Sequence, residues 1–200
     1  DGGGTPRFIP YRVGTDANWV DASAGYFSSF GIKSDGTLWS WGYNHVSSTN
    51  HRFRLGDGSF VVSKVLPEQV GTDTDWKSVE GGLHSLAIKT DGSLWGWGDA
   101  ANGKLGMLGV TGSVTTGSKN VTLSDTSAFL GGSSANVWWQ GGTPASLTVA
   151  SVGTGTLVLS ANVTSATNPS AKLYTSYRPI PRRIGADADW KEAHPGADVS

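Results

Sequence analysis

Short runs of β-branched and aromatic residues, broken by small polar turns, dominate the first hundred positions. Phe30-Gly31-Ile32-Lys33 and Thr37-Leu38-Trp39-Ser40-Trp41 flank Ser34-Asp35-Gly36. This predicts a β-hairpin, because Asp-Gly supplies the positive φ that a tight turn demands. A strand of period two sends Leu38 and Ser40 to one face and Trp39 and Trp41 to the other. Upstream, Trp19-Val20-Asp21-Ala22-Ser23 and Trp76-Lys77-Ser78-Val79 read as a further strand, ended by Gly25 and by Gly81-Gly82. Tyr11-Arg12-Val13 and Glu68-Gln69-Val70 suggest another, with Pro10 and Pro67 marking its edge.

The hairpin then returns. Gly31 to Gly42 is echoed by Ala87 to Gly98, so that Asp35-Gly36 and Asp91-Gly92, Trp39 and Trp95, and Trp41 and Trp97 correspond. Val13-Gly14-Thr15-Asp16-Ala17-Asn18-Trp19 comes back as Val70 to Trp76 and again as Ile184 to Trp190. Three or four short strands cannot bury both of their faces, so successive units must stack. Radial stacking of small antiparallel sheets is a β-propeller. Trp19, Trp39, Trp41, Trp76, Trp95, Trp97 and Trp190 all fall in register, and packing between blades is the role expected of them.

The pattern resembles the regulator of chromosome condensation repeat family. That family's units carry a proline-valine start, an Ala-Gly before a Ser/His-x-x-Ala-Ile-Lys strand, an Asp-Gly-x-Leu-Trp-x-Trp-Gly core and a closing Asn-x-x-Gly-x-Leu-Gly, which stands here as Asn102-Gly103-Lys104-Leu105-Gly106. The resemblance covers residues 1–108 and 178–200 and implies a propeller of about seven blades. It implies no single activity, because that family spans exchange factors, an inhibitor and surface proteins. The chain is expected to hold two units entered mid-blade, an insertion, and an incomplete blade at 178–200, with other protein chains or further sequence completing the ring.

Residues 109–177 are the expected insertion. Gly56 to Pro67 spans 11 positions, but the equivalent Gly106 to Pro181 spans 75. Five strands are predicted there, at 120–124, 135–139, 146–152, 156–160 and 171–174, giving a small β-sandwich or barrel. The phrasing of 117–125 and 148–164 is similar to small all-β modules of phage virion proteins. Trp138 and Trp139 are adjacent, so a one-sided core takes at most one of them. The other, beside Gln140, is a candidate for stacking on a sugar or anchoring a partner. A second candidate is the loop after Trp41-Gly42, six residues longer than its counterpart in the second unit and carrying Tyr43, His51, Arg52 and Arg54.

Charge and composition remove other classes. Fifteen lysines and arginines against 16 acidic residues give no basic field for nucleic acid. No run approaches the length of a membrane span. The absence of cysteine excludes disulfides and thiolate metal sites. His45, His51, His84 and His194 show no ligand spacing, and the acidic residues fall mostly in repeat turns, as Asp16, Asp35, Asp73 and Asp91 do. No catalytic, cofactor or metal residue is therefore expected. The expectation is a non-enzymatic, virion-exposed or extracellular propeller, such as a phage tail or fibre protein, mediating attachment or assembly with protein partners or a cell-surface glycan or receptor. The alternatives are a secreted bacterial propeller that binds or inhibits another protein, and a glycan-processing enzyme.

Overall fold

A computed structural model describes residues 8–44, 53–59, 61–100, 104–106, 110–124, 137–139, 149–162, 168–175 and 177–196. Among these residues every regular element is a strand. Strands β1 (Trp19–Ala24), β2 (Ser28–Lys33), β3 (Leu38–Tyr43) and β4 (Ser63–Gln69) form one antiparallel sheet in chain order. Strands β5 (Trp76–Glu80), β6 (His84–Lys89), β7 (Leu94–Asp99) and β14 (Tyr177–Arg183) form a second sheet of the same order. These two sheets are successive blades.

The hairpin turn differs in detail from the sequence expectation. Gly36 N–H donates to the Lys33 carbonyl at 2.9 Å and Lys33 N–H to the Thr37 carbonyl at 3.1 Å. Gly36 has φ +78, whereas Asp35 is not at positive φ. The geometry is a type I turn closed by a left-handed glycine, in which aspartate serves as an acceptor. Its Oδ1 takes the Thr37 amide at 3.0 Å and the Thr37 hydroxyl at 2.6 Å, and the Thr37 oxygen accepts the Trp39 indole N–H at 2.7 Å. Asp91, Ser93 and Trp95 repeat this relay at 2.9, 2.5 and 2.8 Å.

The first blade turns Phe30, Ile32 and Leu38 toward the second, where Trp76, Val79, Ala87 and Trp97 complete a buried cluster with Val70. Phe30 meets Trp97 edge-on at 5.6 Å, and Trp76 meets Trp95 at 5.7 Å. On the opposite face of the first blade, Trp19 and Trp39 close edge-to-face at 6.0 Å over Gly31, where a Cβ would lie 2.7 Å from the Trp19 ring. Lys33 Nζ stands 3.3 Å from the Trp39 centroid and pairs with Asp16 at 2.8 Å. Lys89 does the same over Trp95 at 4.4 Å, paired with Asp73 at 2.7 Å. Each unit therefore carries a lysine held between two indoles and a carboxylate, which combines cation–π attraction with a partly buried ion pair.

Burial of the tryptophans is uneven. Trp76 and Trp97 are buried, Trp19, Trp39, Trp41 and Trp95 are half-buried, and Trp190 is 40% exposed. Trp190 keeps the backbone position of Trp76 at the joint. Its backbone N–H donates to Gly92 O at 3.2 Å, as Trp76 N–H does to Gly36 O at 3.1 Å. Among the described residues, however, no third strand accompanies it to cover the indole as Trp95 and Trp97 cover Trp76.

Two strand expectations also change. Residues 11–13 form no strand, and Pro67 lies inside β4, on the outer edge of its sheet, where the ladder to β3 shifts register. An outer strand tolerates the missing donor. Residues 110–175 supply six strands: β8 (Val110–Val114), β9 (Asn120–Leu123), β10 (Val137–Trp139), β11 (Val149–Gly153), β12 (Thr156–Leu159) and β13 (Asn168–Thr175). They join as one sheet in the order β10-β13-β8-β9-β12-β11. β8 is unanticipated, because Val-Thr-Gly-Ser-Val has a glycine at its centre and little apolar alternation. Val114, Val121, Leu123, Val149, Leu157 and Leu159 are buried along this sheet.

Candidate functional site

The turns that join the first two strands of each blade converge at one end, beside Pro195-Gly196. Ala24-Gly25-Tyr26-Phe27, Gly81-Gly82-Leu83 and Pro195-Gly196 line an open groove of about 620 Å³ together with Arg54. Glycine allows the turns to touch backbone to backbone. A Cβ on Gly25 would meet Gly82 N at 3.1 Å, and one on Gly82 would meet the Pro195 ring at 3.1 Å. The groove floor is thus set by the spacing between blades.

Arg54 arrives on a segment fixed from both sides. Asn44 accepts the Leu55 amide on its Oδ1 at 3.1 Å and donates from Nδ2 to the Ser59 carbonyl at 3.0 Å. Trp97 Nε1 donates to the Arg54 carbonyl at 2.9 Å, and Gly56, at φ +71, lies against the same indole. Leu55 is fully buried. Phe53 holds φ 62, the single non-glycine residue at positive φ among those described, at the place where the second unit has Gly103 before Lys104-Leu105-Gly106.

The Arg54 side chain is 1% exposed, and its guanidinium carbon lies 4.9 Å from the Phe27 ring centroid. Among the described residues its Nε, Nη1 and Nη2 have no hydrogen-bond partner. Burial pushes its pKa down, and the charge of Asp99 works against that shift. Asp99 in turn takes the Lys104 ammonium at 3.2 Å. Above this cation lies an aromatic row: Tyr26 meets Phe27 at 5.0 Å, and Phe27 meets Tyr43 at 6.4 Å. Tyr26 is 74% exposed and Phe27 51%.

Tyr43 and Arg54, both candidates from the sequence, therefore meet around Phe27. His51, Arg52 and Gln140 lie outside the described residues. Trp138 and Trp139 lie in β10 opposite Tyr174 and Leu173, on a different sheet from the groove. Tyr26 and Phe27 are not singled out by the sequence, whereas Asn44 lies on the candidate loop. One signal points to the first two: Trp19 to Lys33 is one position longer than Trp76 to Lys89, so the first unit's turn carries an extra residue and two aromatics.

Among the described residues, no group of three His, Cys, Asp or Glu side chains could hold a metal ion, and no helix is long and apolar enough to cross a membrane. The turn aspartates are occupied locally. Asp35, Asp91 and Asp57 all accept from the residue two positions on, and their pKa values are lowered.

The fold and the repeated contacts between the sheets define an all-β repeat protein of stacked four-stranded antiparallel sheets, and its repeat resembles that of the regulator of chromosome condensation. Residues 19–47 match the Regulator of chromosome condensation (RCC1) repeat. The chain is 28% identical over 113 residues to the probable E3 ubiquitin-protein ligase HERC6 of Homo sapiens, covering 51% of this chain and 10% of that protein. It is 31% identical over 106 residues to the ultraviolet-B receptor UVR8 of Arabidopsis thaliana, covering 50% and 22%. The chain thus spans less than a quarter of the length of either relative. Among solved structures, yeast RCC1 (Prp20) bound to Kap60 is similar at 24% identity and TM-score 0.41, over 49% of this chain and 24% of that one.

Proposed function

We propose that this chain is a non-enzymatic recognition protein that binds a protein partner at the end of the blades where residues 24–27, 81–83 and 195–196 converge. The observation that carries this reading is the exposed aromatic row Tyr26-Phe27-Tyr43 bordering a groove with a rigid backbone floor. Aromatic side chains contribute large contact area for little lost rotamer entropy, and they dominate protein interfaces for that reason. Asp35, Asp57 and Asp91 accept hydrogen bonds within their own turns.

A photo-crosslinking amino acid at position 26, introduced in the native host, tests the reading. Crosslinks to a defined protein from position 26, and none from Val65 on β4, are the expected result. Equal or absent yields at position 26 would refute it.

A narrower reading is a virion-exposed attachment protein, with residues 109–177 folded as an inserted unit. The phrasing of 117–125 and 148–164 supports it, and detection of the chain in purified virions tests it.

A further inference from the structure

We propose that the Arg54 guanidinium anchors a carboxylate of a protein partner, an aspartate or glutamate side chain that enters the groove as the Phe27 ring swings off the cation. This inference rests on reading the blade end as protein-binding.

Three observations carry it. First, a buried guanidinium with three unpartnered nitrogens is costly, because burial strips its water and nothing among the described residues replaces it. Asp99 lies near enough to act through its charge, yet it is engaged by Lys104. The guanidinium is a cation, so a carboxylate complements it in charge. The planar fork of arginine takes such a group in bidentate fashion.

Second, the cover is thin. Phe27 is 51% exposed, and its ring lies 4.9 Å from the Arg54 guanidinium carbon, so the group beside the cation stands at the surface. Its backbone stays in place, because the Phe27 carbonyl accepts the Tyr43 amide at 2.7 Å.

Third, the segment is strained where it presents Arg54. Phe53 adopts a left-handed conformation that β-carbon residues avoid, and the Trp97 and Asn44 contacts to the two residues that follow hold the segment there. Strain of this kind survives where the surroundings over-determine a geometry, and ligand clamps are among the places where it collects.

The probe is a fluorescein-labelled, C-terminally amidated hexaglutamate, with hexaglutamine as control, measured by fluorescence anisotropy. The protein should bind hexaglutamate about thirty-fold tighter than hexaglutamine, and Arg54→Met should erase the difference without lowering the melting temperature. A second measurement is independent of how that variant folds. Phe27→Ala should raise the rate at which an arginine-selective glyoxal modifies Arg54, read by mass spectrometry, and hexaglutamate should slow it again. Equal affinity for the two peptides, unchanged affinity in Arg54→Met, or no protection of Arg54 would each overturn the proposal. Crosslinking at position 26 without any preference for glutamate would overturn this inference and leave the protein-binding reading intact.

Discussion

Gly36 in the first blade and Thr74 at the entry to the second touch through their backbones: a Cβ on Gly36 would lie 1.9 Å from the Thr74 carbonyl oxygen. Gly92 stands in the same relation to Ala188, at 2.1 Å. Gly36→Ala adds a backbone clash to a left-handed φ and should cost about 3 kcal/mol or more. Gly71, at φ +64 with nothing within 4 Å, supplies the contrast, and Gly71→Ala should cost about 1–2 kcal/mol. Urea unfolding of the two variants measures the gap, and equal losses would exclude the contact as the blade joint.

Trp97 and Trp41 occupy equivalent places, but among the described residues Trp97 packs on Phe30 of the other blade and donates its N–H to the Arg54 carbonyl, whereas Trp41 is half-buried. Trp97→Ala should cost about 3–5 kcal/mol and Trp41→Ala about 1–2 kcal/mol. Chemical denaturation with tryptophan fluorescence reads both.

The hydroxyl between Asp35 and Trp39 should matter more than the residue that carries it. Thr37→Ser reproduces the second blade's relay and should leave stability within about 0.5 kcal/mol. Thr37→Ala orphans the Trp39 indole N–H and should cost about 1–2 kcal/mol. Thermal melts of both variants give the comparison.

Phe53 reverses an ordinary ranking. Both Phe53→Ala and Phe53→Gly lose a buried ring, but only glycine occupies φ 62 without strain. Phe53→Gly should therefore be about 1 kcal/mol more stable than Phe53→Ala. Paired equilibrium unfolding decides the order.

Stability should fall at both ends of the pH scale. Hydrogen bonds from Thr37 and Ser93 lower the pKa of Asp35 and Asp91. Burial works to raise Asp57, but hydrogen bonds from Lys64 and Ser59 outweigh it and lower that group too. A folded-state pKa below the unfolded one stabilises above the unfolded value, and the gain disappears as pH drops through the folded value, below about pH 4. For Lys89, burial lowers the pKa, but hydrogen bonds to Asp73 and Asp75 outweigh it and raise the group. That contribution is complete below the ordinary lysine value and is lost above about pH 10.4. Burial lowers the pKa of Lys64 too, but hydrogen bonds to Asp57 and Glu68 outweigh it and raise the group, which adds to the alkaline limb. Unfolding free energy measured across pH should show both limbs, and Lys89→Met should make the alkaline one shallower.

The blade hairpins were legible because their signals are local: Asp-Gly turns, alternating indoles and a repeat that states the register twice. The face assignment of Leu38 and Ser40 against Trp39 and Trp41 follows from strand period alone, and the observed pairing of Ile32 with Leu38 and Phe30 with Ser40 agrees with it. The lysine cages were not legible, because Asp16 and Lys33 are 17 positions apart and meet only when the blade folds. The groove was half legible. A longer loop pointed to Tyr43 and Arg54, but the isolation of the guanidinium depends on turns from three successive units, and no single stretch of sequence contains that relationship.

The joints at Gly36 and Gly92 lie along the chain from the connection that varies most, the one between the third and fourth strands of a blade. In the first blade that connection runs from Tyr43 to Ser63; in the second it runs from Asp99 to Tyr177 and contains a complete six-stranded sheet. The Gly36 and Gly92 contacts and the buried cluster between the blades lie apart from that connection, so a whole sheet is accommodated there while the joint from the first blade to the second keeps its geometry.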